Sequence, residues 1–166
     1  MKTKSNNFKN KETFLASIDI GTNSTHLLIA KINPDQTSFS IEFTEKETTR
    51  LGERDDNGNL TKESIQRVLG TLKRFKEYCF SYQVEKIIAA GTSAVRESPN
   101  GIELINRVRD ELGFDIELVS GVEEARLIYL DKVNSKNFSS RKDLSKYLEN
   151  KIKKIYSSAL SKKLAK

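Results

Sequence analysis

The amino-acid sequence predicts an α/β domain built on a mixed five-stranded sheet, with its elements in the order β-β-β-α-β-α-β-α. Two observations carry this prediction. The first three apolar segments have the length and β-branched content of strands, and only short turns separate them. Beyond them, long segments of helical periodicity alternate with short apolar runs, which is typical of strands joined by helical crossovers. Three antiparallel strands and two βα units therefore make one sheet with helices on its faces.

Three strands are expected at the start of the chain. FLASIDI (14–20) and THLLIAKI (25–32) are short apolar runs rich in β-branched residues. The segment 21–24 between them is short, so the two strands are expected to pair as an antiparallel hairpin. A turn at 33–36 precedes the third strand, in which Phe, Ile and Phe alternate at positions 39, 41 and 43.

Helices and strands alternate in the rest of the domain. Thr61 supplies an N-cap for the first helix, whose apolar residues recur at helical spacing at positions 65, 68, 69, 72, 75 and 79. Strands are expected at 84–90 and 114–120, with a mostly helical stretch over 94–112 between them that Pro99-Asn100-Gly101 can interrupt. Gly121 opens a last helix. This order of elements is that of the ribonuclease H-like plan.

Charge divides the chain into a polar N-terminal tail (1–12), a domain (13–131) and a basic segment rich in Lys and Ser (132–166). The basic segment holds eleven Lys or Arg against two acidic residues, a net charge of +9. Since the whole chain has 29 basic and 23 acidic residues, the part before it has a net charge of −3. A C-terminal amphipathic helix is expected over about 140–163, with an apolar stripe at Leu144, Tyr147, Leu148, Ile152, Ile155, Tyr156 and Leu160.

Composition disfavours several classes of protein. No apolar run approaches the roughly 18 residues that a membrane span needs, and the first twelve residues lack the apolar core of a secretory signal. The single cysteine, Cys79, cannot form an intrachain disulfide. A cytoplasmic location is therefore expected. Nucleic acid is not expected as a partner, because the excess positive charge lies in the tail and not on the folded domain.

The clearest candidate site is the segment DIGTNS (19–24), between the first two strands. Gly21 permits a tight turn and a close approach of backbone amides to an anion. Side-chain donors follow at Thr22, Asn23 and Ser24. Asp19, at the end of a strand, is placed to hold a hydrated Mg²⁺, which prefers oxygen ligands and keeps several waters. Considered alone, the segment also fits a plain β-hairpin with a polar turn.

Two later turns between strand and helix carry further candidates. In GTSAVR (91–96), the helix N-terminus and Arg96 can bind phosphate together, and a solvated surface arginine is the alternative. In GVEEARL (121–127), Glu123 and Glu124 point about 100° apart on the helix, so only one is expected to face a shared cleft. The alternative for these carboxylates is that they only complement the helix dipole.

These segments together resemble one family. ASIDIGTNSTHLLIA, TRLGE, AAGTSAVRESPNG and SGVEEARLIYL stand in the order and spacing of the exopolyphosphatase/guanosine pentaphosphate phosphohydrolase (Ppx/GppA) family, over roughly residues 13–131. The resemblance implies the N-terminal domain of a two-domain enzyme of the actin-like ATPase superfamily. Such enzymes release the terminal phosphate of polyphosphate or of guanosine pentaphosphate, with Mg²⁺ as cofactor.

The resemblance also implies roles for individual residues. Segment 19–24 corresponds to the first phosphate loop, with Asp19 beside Mg²⁺. Arg96 matches a residue that contacts substrate phosphate, and Glu124 matches the base that activates the attacking water. These roles suit the chemistry, because water attack on phosphorus needs a proton acceptor while the metal and the arginine offset negative charge. Arg54 stands where the family commonly has glycine.

The family's second phosphate loop, Asp-x-Gly-Gly-Gly-Ser-Thr, is expected to be absent, because no glycine follows Gly121. Hydrolysis is expected to need both loops, one on each side of the substrate. Three hypotheses follow: an enzyme with the family chemistry, a phosphate-binding module or truncated remnant without turnover, and a subunit completed by another chain. Possible partners are a second copy, as a homodimer, or a complementing second domain. The tail is interpreted as a helix covering apolar surface, an anion-attracting segment, or an extension left by a truncated gene.

Overall fold

The computed structural model describes residues 13–32 and 39–120 of the 166-residue chain. Its strands are β1 (Thr13–Ile20), β2 (Ser24–Ile32), β3 (Phe39–Thr48), β4 (Lys86–Gly91) and β5 (Ile116–Leu118). They form one sheet in the order β3-β2-β1-β4-β5. β2 runs antiparallel to both β1 and β3, whereas β4 runs parallel to both β1 and β5. The predicted mixed five-stranded sheet is confirmed, whereas the last predicted helix and the C-terminal amphipathic helix lie outside the described residues.

The first helix, α1 (Lys62–Ser81), begins where the sequence predicts. The Thr61 hydroxyl accepts a hydrogen bond from the backbone N–H of Ser64 at 3.1 Å, which satisfies one of the open donors of the first turn. The apolar residues at helical spacing form its buried side. Because those positions repeat over about four turns, α1 presents one continuous apolar side to the sheet.

The stretch over 94–112 is mostly helical, and a break at 97–100 overlaps the interruption predicted at 99–101. It consists of α2 (Ser93–Arg96), α3 (Gly101–Arg107) and a π-helical turn (Val108–Leu112). Pro99 lacks the N–H that a continuing helix would use. At Gly101 the backbone passes so close to α2 that an added Cβ would stand 2.0 Å from the Val95 carbonyl oxygen. The break therefore has a local chemical cause.

All described helices pack on one face of the sheet. There, apolar residues from β1, β2 and β4 form the core together with α1, α2, α3 and the π-helical turn, including Ile18, Leu72, Phe75, Leu104 and Val108. Residues that alternate with these along the strands form the second face, which we define by Leu15, Leu28, Ala30, Ile32, Ile88, Ala90 and Val119. None of the described helices combines the length and the apolar character needed to cross a membrane.

The third strand is longer than predicted. Apolar alternation ends at Phe43, but β3 continues to Thr48 and pairs with β2 as far as Ser24. A register shift between Ile29 and Ala30 interrupts this pairing. The added half, TEKET, is polar and is held by backbone hydrogen bonds, which leave no trace in a hydrophobic pattern. This extension brings the end of β3 to the hairpin turn after β1.

Candidate phosphate-binding site

The candidate site lies where β1 and β4 end side by side. Ile20 at the end of β1 pairs with Gly91 at the end of β4. Thr92, the next residue, donates from both its backbone N–H and its hydroxyl to the Ile20 carbonyl oxygen, each at 3.2 Å. Two segments that are far apart in the sequence, 19–24 and 91–96, are therefore brought to the same edge of the sheet.

The turn over 21–24 is a tight hairpin. The Gly21 N–H donates to the Ser24 carbonyl oxygen at 3.1 Å. A Cβ on Gly21 would stand 2.9 Å from that same oxygen, so a side chain here would force the turn apart. Thr22 and Asn23 form the exposed tip. The predicted hairpin is confirmed. Its ability to bind an anion depends on the direction of its backbone N–H groups.

The segment 49–52 holds the hairpin turn from one side. The Gly52 N–H donates to the Thr22 carbonyl oxygen at 2.8 Å, and the Asn23 carbonyl oxygen accepts from Thr49 at 3.0 Å and from Arg50 at 2.9 Å. In a planar trans peptide, the N–H points opposite to the carbonyl of the same unit. The amides of Asn23 and Ser24 are therefore directed away from 49–52, which is the arrangement that an anion-binding turn requires.

Glycine at position 52 is needed for this contact. A Cβ there would stand 2.4 Å from Thr22 Cγ2 and 3.3 Å from the Thr22 carbonyl oxygen. Arg50 adopts a φ of 48°, an unusual conformation for a residue with a side chain. TRLGE (49–53) was among the segments that resemble the family, but no role was predicted for it. The positive φ of Arg50 and the glycine at position 52 indicate a role for this segment only when its contact with the hairpin turn is known.

Hydroxyl groups from both turns meet at this edge. Thr22 Oγ1 and Ser93 Oγ lie 3.4 Å apart. Ser24, predicted as a side-chain donor, is buried, and its hydroxyl lies 2.9 Å from His26 Nε2. The contribution of Ser24 to an anion site is therefore its backbone amide. Sequence analysis did not single out Ser93, because no local pattern shows that β1 and β4 are neighbours.

Asp19 is the described residue best suited to a metal at this site. It lies at the end of β1, opposite His26 on β2, and its Oδ1 atom is buried. Within 13–32 and 39–120, no group of three or more His, Cys, Asp or Glu is arranged to hold a metal ion. A single carboxylate fits Mg²⁺, because this ion keeps several waters and takes further oxygen ligands from phosphates.

Two arginines tie the second turn to its surroundings. Arg96 donates from Nη1 to the Val119 carbonyl oxygen, just after β5, and its Nη2 lies 2.9 Å from a Glu97 carboxylate oxygen. It is only 26% exposed, so it is not a solvated surface arginine. Arg54 donates from Nη2 to the Ala94 carbonyl oxygen at 2.9 Å and thereby joins the loop after 49–52 to α2.

The remaining predicted site residue, Glu124, lies outside the described residues, as does Gly121. A separate groove of about 600 Å³ is lined by residues 84–89 and 113–117. This lining is centred on the beginnings of β4 and β5, whereas the hairpin turn over 21–24 adjoins the end of β4. The groove is therefore distinct from the candidate phosphate site.

Curated relatives of this chain include phosphatases. The bifunctional 3-dehydroquinate synthase/phosphatase of Fusobacterium nucleatum is 38% identical over 135 residues, which make up 76% of this chain and 20% of the relative. Exopolyphosphatase 1 of Mycobacterium tuberculosis is 32% identical over 117 residues, or 70% of this chain and 34% of the relative. The chain thus spans about a fifth to a third of the length of these two relatives.

Solved structures show the same similarity. The Aquifex aeolicus member of the Ppx/GppA family superposes with a TM-score of 0.66 at 32% identity, covering 72% of this chain and 39% of that one. An exopolyphosphatase from Cytophaga hutchinsonii gives a TM-score of 0.66 at 38% identity, covering 70% and 37%. The model of the Ppx/GppA phosphatase family matches residues 28–142, more than half of the chain. This chain therefore belongs to the Ppx/GppA phosphatase family.

Proposed function

We propose that this chain provides the first phosphate-binding wall of a phosphoanhydride hydrolase, which releases the terminal phosphate of polyphosphate or guanosine pentaphosphate by attack of water. The observation that carries the proposal is the hairpin turn over 21–24, whose amides are turned outward by 49–52 beside the hydroxyls of Thr22 and Ser93. Membership of a phosphatase family supports the reaction class, and an exopolyphosphatase relative supports the choice of substrate.

In this proposal the terminal phosphate lies across the ends of β1 and β4. Its oxygens accept hydrogen bonds from the amides of Asn23 and Ser24 and from the hydroxyls of Thr22 and Ser93, because these donors share one edge of the sheet. Asp19 holds a hydrated Mg²⁺ at that edge. The ion would offset negative charge on the phosphate oxygens when bound.

Water then attacks the terminal phosphorus, the bond to the bridging oxygen breaks, and the shortened chain leaves. Glu124 accepts the proton of the attacking water, the role that its place in the family motif implies. Arg96 exchanges its contact with the exposed Glu97 carboxylate for a phosphate oxygen and keeps its bond to Val119. A guanidinium carries five N–H donors, so one arginine can serve both partners.

Phosphate binding without turnover is the second candidate function. It is favoured by the position of the donors in the described residues, because the 21–24 turn and Ser93 lie together at one end of the sheet and contact the phosphate from one side. Reaction of a phosphoanhydride is fastest when its oxygens are held from more than one side. In this alternative, the chain by itself binds polyphosphate without cleaving it. Hydrolysis then requires a second copy or a complementing second domain that contacts the phosphate from the opposite side.

The test compares two threonines in the full chain. Thr22→Val removes the hydroxyl beside Ser93, whereas Thr44→Val makes the same change at an exposed position on β3. Tripolyphosphate binding is followed by phosphorus NMR with Mg²⁺, in salt high enough to suppress binding by the basic tail. We expect Thr22→Val to weaken binding about tenfold, the effect of losing one hydrogen bond to a charged group, and Thr44→Val to leave it unchanged.

Phosphate release from polyphosphate and from guanosine pentaphosphate is measured on the same samples. Release by the parent chain supports the hydrolase, and binding without release supports the second candidate function. If Thr22→Val, Ser93→Ala and the parent chain bind tripolyphosphate equally well, segment 19–24 is not a phosphate loop, and both candidate functions are excluded.

A further inference from the structure

The second face of the sheet is buried although no described helix covers it. Its apolar residues alternate along β1, β2 and β4 with those that face α1. Each of the seven is at most 8% exposed, and none belongs to the core cluster of the helical face. These exposures are those of a single chain. Burial of this face therefore needs no partner molecule.

Three parts of the chain lie outside the described residues. Residues 1–12 contain only Met1 and Phe8 as large apolar residues, and residues 33–38 read NPDQTS. Neither segment has an apolar stripe that matches a sheet face. Residues 121–166 form the longest of the three parts and begin two residues after Val119, which itself follows β5. Covering an apolar sheet face requires an amphipathic segment, and this part contains that pattern.

The width of the second face calls for two helices. Its residues extend from β2 to β5, three spacings of about 4.8 Å, which is wider than one helix of about 10 Å. The sequence after Ser120 has two amphipathic stretches, one that begins at Gly121 and one over 140–163. The first follows β5 directly in the sequence, so we expect it to lie over β4 and β5. The area over β1 and β2 is left for the second stretch.

We propose that residues 140–163 form a helix whose apolar stripe packs on the second face of the same chain, over β1 and β2. A helix of this length is about 36 Å long and exceeds the roughly 26 Å of β1. The stripe from Leu144 to Leu160 faces Leu15, Leu28 and Ala30, while the lysines point to solvent. The net charge of +9 on the tail is attracted to the net charge of −3 on the remainder. The tail is then a structural part of the domain.

A spin label tests this placement in the full chain. Lys153→Cys places the label beside the stripe, and the native Cys79 is buried and stays unlabelled. We expect the label to broaden the methyl NMR signals of Leu15 and Leu28 several-fold more than those of Leu72 and Leu104 on the helical face. Equal broadening of both sets, or none, would overturn the proposal. So would broadening that appears only when labelled chains are mixed with isotope-enriched unlabelled ones, because this indicates a second copy.

A pair of charge substitutions gives an independent readout. Ile152→Lys puts a charge into the apolar stripe, and Ser157→Lys adds the same side chain on the opposite side of the predicted helix. We expect Ile152→Lys to lower the Tm by several degrees or to unfold the chain, and Ser157→Lys to leave it within about a degree. The proposal fails if both variants have the same Tm as the parent chain.

Discussion

The two turns that frame the candidate site are held in place by different kinds of bond. Backbone N–H groups of 49–52 hold the turn after β1, through the carbonyl oxygens of Thr22 and Asn23. The turn after β4 has a backbone bond from Thr92 to Ile20, but side chains of Thr92, Arg96 and Arg54 supply three further bonds to backbone carbonyls. A turn held by backbone tolerates most side-chain replacements but not an added Cβ. A turn that depends on side chains is loosened when one of them is removed.

The largest effect is expected from Gly52→Ala. The new Cβ would stand 2.4 Å from Thr22 Cγ2, so Thr22 must rotate or the two segments must separate. Overpacking of this kind costs about 1–3 kcal/mol, and it removes Thr22 from Ser93. We therefore expect a lower free energy of unfolding in urea and weaker tripolyphosphate binding.

Gly70→Ala is the control, because Gly70 lies in α1 with open space around it. Helix propensity predicts a gain of about 0.5–1 kcal/mol for that change. If Gly52→Ala behaves like the control, 49–52 does not set the direction of the amides.

The second effect is that of Arg96→Ala. The variant loses the bond to Val119 and detaches the residues after β5 from α2. A hydrogen bond to a charged group contributes about 1.5–3 kcal/mol, and partial exposure of Arg96 places this one at the lower end. Hydrogen exchange should rise in residues 116–120 while it stays unchanged in 21–24. Arg107→Ala, which removes an exposed i,i+4 pair with Glu111, is the control and should cost no more than about 0.5 kcal/mol. Equal protection of 116–120 in Arg96→Ala and the parent would contradict the assignment.

The smallest effect is expected at Arg54. Its side chain is exposed and donates to the Ala94 carbonyl oxygen, so Arg54→Ala should cost about 0.5–1 kcal/mol in thermal unfolding. The substitution loosens the turn after β4 without touching the backbone bonds of the turn after β1. Arg50→Ala changes a neighbouring exposed arginine whose backbone, not its side chain, bonds Asn23. If Arg50→Ala is the more destabilising of the two, the division into backbone-held and side-chain-held turns is wrong.

The sheet could be predicted from sequence because its strands carry local signals. The hairpin between β1 and β2 and the N-cap at Thr61 depend on neighbouring residues only, and both are confirmed. The break before α3 was also predictable, because Pro99 is a local signal. The polar half of β3 escaped prediction because its cause is not local: it is held by backbone pairing with β2.

Residues of the candidate site were likewise predictable only where their signal is local. Segment 19–24 was recognisable because its residue types are contiguous. Ser93 and 49–52 were not, because their place beside that turn follows from strand order and from hydrogen bonds between distant segments. The roles of Asp19, Arg96 and Glu124 in binding and catalysis stay predictions. For Arg96 the structure adds a bond to Val119 that no motif indicates.

The two edges of the described sheet bear on how this protein behaves at high concentration. β3 forms one edge, and its sequence FSIEFTEKET carries three glutamates and a lysine. β5 forms the other edge and is three residues long. Charged or very short edge strands resist pairing with strands of other molecules. The register shift between Ile29 and Ala30 adds a local irregularity next to the longer edge, and bulges of this kind increase twist and spoil a flat template. The sheet is therefore built against edge-to-edge aggregation, although Ile41 on its longer edge is 52% exposed.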